Sequence, residues 1–297
     1  MEPLKSAVIC TGDPIIDIWI HGHFKKQTNK RFYVEKTIRT YGGALNTWKN
    51  LVSLLGGERS AFASSGFVSH VDDTSLYLHD KNIYSISRII DDEILIEYSE
   101  TPESINQNFY SSNSTYWNLS WSHAALMQRY REIEKLGLVI SEYNRGSVNC
   151  KKNYNVPYFD FCIVDTRYKT LNLNLIKNCS TKIWHATGDE YNEEYAKNFD
   201  WILNTNGPDE VKIFKPTQKN AYYILQPPDT PVISSCGAGD TFTAAVAAYL
   251  SDNPISEESI VMATNFAVNC CQQVIQKPYT SIINKEELKC ISQISMR

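Results

Sequence analysis

The sequence predicts an α/β fold, a mostly parallel sheet covered by helices, and three observations lead to this prediction. Short apolar runs that end in polar turns recur along the chain, which is typical of buried parallel strands. Segments with apolar residues at helical spacing lie between several of these runs. The 297 residues are 42% hydrophobic and 21% charged, which suits one large globular α/β domain or two smaller ones. No interdomain linker is visible, so we expect residues 1–297 to form a single domain.

Composition and charge exclude several classes of function. The formal charge of -4 gives no basic surface for a nucleic-acid partner. No apolar run approaches the roughly 20 residues of a membrane-spanning helix. The amino-terminal residues lack the apolar run of a signal peptide, so we expect a cytoplasmic protein. The eight cysteines are scattered without a C-x-x-C pair, which indicates reduced thiols rather than a zinc site or a disulfide framework.

The predicted strands of the main sheet share an apolar body and a polar exit. They are residues 7–10, 138–143, 161–167, 182–187 and 201–207. Ligands of open α/β sheets bind at the carboxyl ends of the strands. Asp13 and Asp17 follow the first strand and could therefore hold sugar hydroxyls, although Asp before Pro is also a common turn residue.

A second, smaller sheet is predicted beside the main one. Its strand-like segments are residues 15–20, 31–39, 86–90 and 93–98. Residues 31–39 alternate in side-chain type, which suggests a sheet with one exposed face. Such an appendage, from about residues 15–41 and 86–99, would work as a lid or as a dimer surface.

Helices follow from apolar residues at helical spacing and from the residues that stop them. They are predicted over residues 47–55 before Gly56, over 119–136 before Gly137, and over 255–276 before Lys277-Pro278. Residues 103–118 are rich in Asn and Ser and are predicted to form a loop.

The stretch Gly237-Ala238-Gly239-Asp240 lies directly before an alanine-rich segment of strong helix propensity. Its glycines allow a sharp turn close to a ligand. The N–H groups of residues 237–240 and the positive end of the helix dipole would then favour a phosphate or a developing negative charge. Asp240 at that place suits a base that takes a proton from an attacking hydroxyl. The alternative is an Asp N-cap that needs no ligand.

A second glycine pair, Gly42-Gly43, precedes the helix over residues 47–55. These glycines would let the main chain approach a ligand, and Asn46 could present its amide to hydroxyls. The alternative is a plain loop with an N-cap.

The motifs Gly42-Gly43-x-x-Asn46 and Gly237-Ala238-Gly239-Asp240-Thr241 together resemble the ribokinase-like (PfkB) carbohydrate kinase family, over nearly the whole chain. Within that family the sequence is most similar to the kinase module of the bacterial heptose-7-phosphate kinase and ADP-heptose synthase proteins. This likeness lies in Gly12-Asp13-x-x-x-Asp17-x-Trp19-x-x-Gly22, in residues 139–146 and in Asp165-Thr166-Arg167.

The resemblance implies a Rossmann-like parallel sheet between helices, with a small β lid that often pairs in a homodimer. It also implies transfer of the γ-phosphoryl group of ATP, with Mg²⁺, to a hydroxyl of a sugar or sugar phosphate. Carried over by position, Asp240 would be the base and the backbone of Gly237, Ala238, Gly239 and Asp240 the anion hole. The residues that would contact the sugar are Asp13, Asp17, Gly42, Gly43, Asn46 and Glu142. Those that would face the nucleotide are Arg167, Thr187, Thr205, Gly207, Asn265 and Asn269, and Glu190 would hold Mg²⁺ through water.

Several positions depart from the family pattern. Thr187-Gly188-Asp189-Glu190 keeps only the glutamate of the family's Asn-x-x-Glu, and Ser234 stands where an acidic residue is usual. Glu142 replaces the Asp of the heptose kinases, and Pro278-Tyr279 occupies a turn that usually contains glycine. These departures argue against a monovalent-cation site and leave the nucleotide preference open.

The sequence is also compatible with two other functions. A kinase-fold protein that binds a sugar phosphate or a partner without catalysis is favoured by the altered metal and nucleotide motifs. The intact Gly-Ala-Gly-Asp favours the enzyme instead, because a site without turnover has no evident need for the base. A nucleoside kinase of the same fold is the third hypothesis.

Overall fold

The computed structural model describes residues 6–24, 32–64, 67–68, 84–91, 94–100, 112–129, 133–143, 148, 156–166, 171–216 and 221–294. In chain order the strands are β1 Ser6–Gly12, β2 Pro14–Phe24, β3 Phe32–Gly42, β4 Ser60–Ser64, β5 Phe67–Val68, β6 Tyr84–Asp91, β7 Ile94–Glu100, β8 Lys135–Glu142, β9 Phe159–Thr166, β10 Cys179–Thr187, β11 Trp201–Thr205, β12 Val211–Phe214 and β13 Tyr223–Leu225. The α-helices are α1 Gly43–Leu55, α2 Ser112–Arg129, α3 Glu193–Ala196, α4 Ala238–Asp252, α5 Glu257–Ile275 and α6 Lys285–Ile294.

The larger sheet has the spatial order β13-β12-β11-β10-β9-β8-β1-β4-β5. Its central strands, from β4 through β1, β8, β9 and β10 to β11, pair in parallel. The edge strands β5, β12 and β13 pair antiparallel. The sheet is therefore mostly parallel, and the α/β prediction is confirmed. Parallel strands place their carboxyl ends on one edge, so the residues that follow β1, β8, β9 and β10 lie together.

Apolar side chains of the central strands alternate between two buried layers. On β1, Val8 and Cys10 face the layer that contains residues of α1, α4 and α5. Ala7 and Ile9 point the other way, into a layer that contains residues of α2 and α3. Strands covered on both faces read as continuous apolar runs, which is why β1 shows no polar alternation in the sequence.

The smaller sheet has the order β3-β2-β6-β7, with β2 parallel to β6 and the other pairs antiparallel. The prediction that β3 would expose one face and bury the other is wrong for its outer part. The adjacent residues Tyr33 and Val34 are 45% and 58% exposed, although they point to opposite faces. The strand β3 lies at the edge of the small sheet, and no described residue packs over either of its faces at this point.

The helix predicted over residues 119–136 is displaced in the structure. Helix α2 begins at Ser112, within the segment predicted as a loop, and it ends at Arg129. Ser and Asn suit a first helical turn, because their side chains can accept hydrogen bonds from its backbone N–H groups. Gly137 does not end a helix but lies in β8, where a Cβ would come 2.3 Å from the ring of Phe161.

The other predicted helices are confirmed within a few residues, and α1 ends at Gly56 as expected. In the part of the chain that the structure describes, no helix is both long enough and apolar enough to cross a membrane.

Candidate active site

The first turn of α4 forms the floor of the candidate site. Gly237 precedes the helix with φ +82°, and its carbonyl accepts a hydrogen bond from the N–H of Thr241 at 2.9 Å. The N–H of Ala238 already donates to the carbonyl of Ser235 at 3.2 Å. No backbone acceptor for the N–H groups of Gly237, Gly239 or Asp240 is found among the described residues. The sequence suggested that all four N–H groups of residues 237–240 could bind an anion, but that of Ala238 is already used, so three are left.

Asp240 is buried on this turn and is held by three donors. The Nδ2 atom of Asn46 lies 3.0 Å from Oδ2 of Asp240. The hydroxyls of Thr47 and Tyr143 donate to Oδ1 at 3.2 Å and 2.9 Å. Asn46 and Thr47 lie in the first turn of α1, and Tyr143 directly follows β8. Donors from two elements distant in the chain therefore converge on one carboxylate of α4, in a residue that is 3% exposed.

The environment of Asp240 raises the pKa of its carboxyl to about 6 from the ordinary 3.8. Burial is the largest cause, because it removes water from the charged form, and the negative charge of Asp17 acts in the same direction. The hydrogen bonds from Asn46, Tyr143 and Thr47 oppose this rise. The carboxyl is therefore ionised at pH 7 but basic enough to take up a proton, which suits a general base.

Asp13 and the Gly42-Gly43 pair lie next to this carboxylate. Gly43 has φ +53°, and a Cβ there would come 2.7 Å from the carbonyl oxygen of Asp13. That carbonyl accepts a hydrogen bond from the N–H of Ala44 at 3.0 Å, which ties the exit of β1 to the start of α1. The N–H of Tyr143 donates to Oδ2 of Asp13 at 2.7 Å. Only a glycine allows the backbone to turn in this way so close to Asp13.

Asp17 is bound on both carboxylate oxygens. Arg88 of β6 donates to Oδ1 at 2.5 Å, and the hydroxyl of Thr280 donates to Oδ2 at 2.5 Å. A Cβ at Gly42 would come 2.6 Å from the same Oδ2. Asp17 therefore ties the small sheet to the loop between α5 and α6, in addition to any contact with a substrate.

The turn at Pro278-Tyr279, where the family usually has a glycine, keeps a backbone conformation that glycine favours. Tyr279 has φ +66°, the only positive φ of a non-glycine residue among those described. Its ring centroid lies 5.3 Å from that of Trp19 and 5.4 Å from that of His21, both on β2. We infer that these ring contacts offset the cost of the left-handed conformation, which is about 1–2 kcal/mol for a residue with a Cβ.

Glu142 points to the other side of the sheet from Asp240. Alternation along β8 places Val139 in the layer of α1 and α4, and it places Ile140, and so Glu142, in the opposite layer. Glu142 accepts a hydrogen bond of 2.5 Å from Thr166. Burial raises the pKa of Tyr195, and the charge of Glu142 acts in the same direction.

The residues predicted for the nucleotide end lie on the exits of β10 and β11. Thr187 and Glu190 form a capping box around a short 3-10 helix, and the N–H of Thr187 donates to Oε2 of Glu190 at 3.2 Å. Gly207 has φ +55° in the turn after β11, and a Cβ there would meet nothing within 4 Å. Asn265 and Asn269 lie half-buried on α5. Arg167 lies outside the described residues.

His185 links the nucleotide end to α4. Its ring nitrogens lie 2.9 Å from Oγ1 of Thr243 on α4 and 3.1 Å from Oγ1 of Thr205 on β11. A Cβ at Gly239 would come 3.7 Å from the same imidazole. This buried ring therefore sets the spacing between the two predicted phosphate-binding segments.

Sequence reasoning missed several residues of this site: Thr47, Arg88, Tyr143, His185 and Thr280. One of them left a signal in the sequence. Arg88 interrupts the apolar segment 86–90, and a charge in a predicted buried strand calls for a partner. Within the described residues, no group of three or more His, Cys, Asp and Glu side chains is arranged to hold a metal ion directly.

The close contact of Gly237 yields a test of the geometry. In the Gly237→Ala variant, the new Cβ would come 2.5 Å from Nδ2 of Asn46 and 2.8 Å from Cγ2 of Thr280. We expect crowding to lower the free energy of unfolding by about 1–3 kcal/mol, in addition to the ~1 kcal/mol that a positive φ costs a residue with a Cβ. Urea unfolding measures it.

Gly207→Ala is the matched control, since Gly207 also has a positive φ, +55°, but a Cβ there would meet nothing within 4 Å. If the two variants lost equal stability, Gly237 would not be crowded as described.

Known proteins resemble this chain in sequence over part of its length and in fold over nearly all of it. Residues 150–287 match the family model described as pfkB family carbohydrate kinase. No curated protein sequence matches the chain.

Solved structures resemble the chain over nearly its whole length. Ribokinase from Thermotoga maritima has a TM-score of 0.63 and 13% identity, and the match covers 97% of this chain and 99% of that one. The nucleoside kinase from Methanocaldococcus jannaschii has a TM-score of 0.59 and 13% identity, and the match covers 98% of this chain and 99% of that one. Fructokinase with bound ATP from Xylella fastidiosa has a TM-score of 0.59 and 12% identity, and the match covers 99% of this chain and 100% of that one. The chain therefore shares the fold of these kinases, and its residues 150–287 are similar to the pfkB family carbohydrate kinases.

Proposed function

We propose that this protein is an ATP-dependent carbohydrate kinase that transfers the γ-phosphoryl group to a hydroxyl of a sugar. One observation supports this most strongly: a buried carboxylate, that of Asp240, lies on a helical turn beside the N–H groups of Gly239 and Asp240, for which the described chain supplies no acceptor. A base and an anion-binding turn at one place are what phosphoryl transfer to an alcohol requires.

In the proposed reaction the acceptor hydroxyl binds against Asp240, which takes its proton as the oxygen attacks the γ-phosphorus of ATP. The bond from that phosphorus to the β–γ bridging oxygen breaks, and ADP leaves. The open amides of Gly237, Gly239 and Asp240 stabilise the charge of the moving phosphoryl group. Asp13, Gly42, Gly43 and Asn46 surround the acceptor, because they lie within the same cluster. Asp17 borders it and has a protein partner of its own, whereas Glu142 lies on the opposite face of β8 and bonds to Thr166.

The nucleotide would lie toward the exits of β10 and β11 and toward α5. Thr187, Thr205 and Gly207 line those exits, Asn265 and Asn269 lie on α5, and Arg167 is proposed for the phosphates from its position in the sequence. Mg²⁺ bound to the nucleotide would neutralise phosphate charge. We propose from its position in the sequence that the carboxylate of Glu190, which accepts a hydrogen bond from the N–H of Thr187, contacts Mg²⁺ through water.

The acceptor is proposed to be a sugar, and the alternatives are tested with it. A screen should follow ATP consumption with Mg²⁺ over sugars, sugar phosphates including heptose 7-phosphate, and nucleosides, with products identified by ³¹P NMR. Turnover with a sugar or sugar phosphate supports the proposal, whereas turnover with nucleosides alone favours a nucleoside kinase. The similar structures described above are a ribokinase, a nucleoside kinase and a fructokinase, so heptose 7-phosphate is one arm of the screen and not its centre.

A protein that binds without catalysis is the second candidate. It is favoured by the engagement of Glu190 in a capping box and by Ser234 in place of an acidic residue. Sugar binding without ATP binding, measured by calorimetry, would establish it and overturn the kinase.

We also propose that the small sheet serves as a lid and as a homodimer surface. The exposed Tyr33, Val34 and Tyr41 of β3 support this, since an edge strand with apolar side chains readily pairs with a second copy. Sedimentation equilibrium distinguishes monomer from dimer. We place the enzyme in the cytoplasm because its proposed reaction consumes ATP.

A further inference from the structure

Tyr143 connects two of the acidic side chains of the candidate site. It directly follows β8, and it uses both its backbone and its side chain. Its N–H donates to Oδ2 of Asp13 at 2.7 Å, and its hydroxyl donates to Oδ1 of Asp240 at 2.9 Å. A residue held at the backbone by one carboxylate is well placed to fix the other.

The acceptor positions of Asp240 can be counted. A carboxylate offers about four, two on each oxygen. Thr47 and Tyr143 occupy both positions of Oδ1, and Asn46 occupies one position of Oδ2. Within the described residues one position is left, on Oδ2. An acceptor hydroxyl can therefore bind to Oδ2 without displacing a protein donor.

We propose that Tyr143 is a positioning residue, whose phenol holds Oδ1 of Asp240 and stabilises the negative charge, so that Oδ2 is presented to the acceptor hydroxyl. The role in turnover rests on the proposed kinase function, whereas the hold on the carboxylate does not. Asn46 and Thr47 come from one helical turn, so Tyr143 is the donor that approaches from a separate element. Without it, the carboxylate is anchored from one side alone.

The hydrogen bond has a consequence for titration. The ionisable groups that face Asp240 or contact the first turns of its helix include Cys10, Asp13, Asp17, Tyr143, His185 and Cys271. Burial and the charge of Asp17 raise the pKa of Asp240, while the donors Asn46, Tyr143 and Thr47 lower it. Tyr143→Phe removes one of the lowering contacts and keeps the ring. The pKa of Asp240 should therefore rise further in this variant.

Carbon-13 NMR of protein labelled at the Asp side-chain carboxyl tests this without any substrate. Asp240→Asn identifies the resonance. We expect the titration midpoint of Asp240 to move up by about one to two pH units in Tyr143→Phe, since a hydrogen bond to a charged group is worth about 1.5–3 kcal/mol, and one pH unit corresponds to 1.36 kcal/mol. Tyr249→Phe is the control, because Tyr249 lies on the same helix but packs against Phe266 of α5, with 6.0 Å between the ring centroids. It should leave the midpoint unchanged.

An Asp240 midpoint in Tyr143→Phe that equals the wild-type value would overturn the proposal, whether or not the protein is a kinase. Where the substrate screen yields an acceptor, the kinetics add a second readout. The kcat of Tyr143→Phe should fall more at pH 6 than at pH 8, with KM for the acceptor little changed. A loss of kcat that is uniform with pH would count against the proposed role.

Discussion

Asp240→Asn should lower kcat by about 10² to 10⁴, the range that general acid–base catalysis typically contributes, while the KM of the acceptor changes little. The amide keeps the shape of the side chain but cannot take the proton of the attacking hydroxyl. Steady-state kinetics with the acceptor found in the screen measures this. An unchanged kcat would remove Asp240 from the mechanism.

The same variant should not be less stable at pH 7. A carboxyl whose folded pKa is raised stabilises the fold fully below its unfolded pKa, and that stability is lost as pH rises through the folded pKa. For Asp240 this contribution is lost between pH 3.8 and about pH 6. Above that range the buried charge lowers the free energy of unfolding by about 3 kcal/mol. Asp240→Asn removes that cost. We therefore expect its Tm to equal or exceed that of the wild type, so that lost activity cannot be ascribed to unfolding.

Arg88→Met should cost about 3–5 kcal/mol of unfolding free energy, because it leaves the carboxylate of Asp17 buried without its cation. Arg88 and Asp17 are 8% and 4% exposed, and the guanidinium also lies 4.9 Å from the ring centroid of Trp19. Methionine keeps most of the apolar stem, so the loss reports on the charge. Urea unfolding at pH 7 measures it.

The double variant Arg88→Met/Asp17→Asn controls this prediction. With no buried charge left, its stability should recover toward the wild-type value, which an additive pair of losses would contradict. Lys197→Met serves as a surface comparison, because the pair of Lys197 and Glu194 is exposed, and we expect no measurable change there.

The parts of the fold that local sequence determines could be predicted. The central strands read as apolar runs because both faces are buried, and α1 and α5 show clear helical spacing. The start of α2 could not be read in this way. Ser and Asn favour loops and helix starts alike, so the apolar spacing beyond them set the predicted boundary too late.

The site was predictable where two motifs meet and not where single residues reach across the chain. The two glycine motifs indicated that Asn46 and Asp240 belong together, and their side chains do bond. The bond between Asp17 and Thr280 joins residues 263 positions apart, and no spacing rule links them. The face on which Glu142 lies followed only from its parity with Val139 and Ile140 along β8.

The rate of γ-phosphoryl transfer in a single turnover, measured from pH 5 to pH 8 with ATP, Mg²⁺ and the accepted substrate, tests the role of Asp240 most directly. Because the pKa of Asp240 lies at about 6, the rate should rise about tenfold per pH unit below that value and level off above it. Asp240→Asn controls for titration of the nucleotide, and its residual rate should lack this inflection. A wild-type rate that is flat from pH 5 to pH 7, or an inflection that persists in Asp240→Asn, would contradict a buried carboxylate acting as the base.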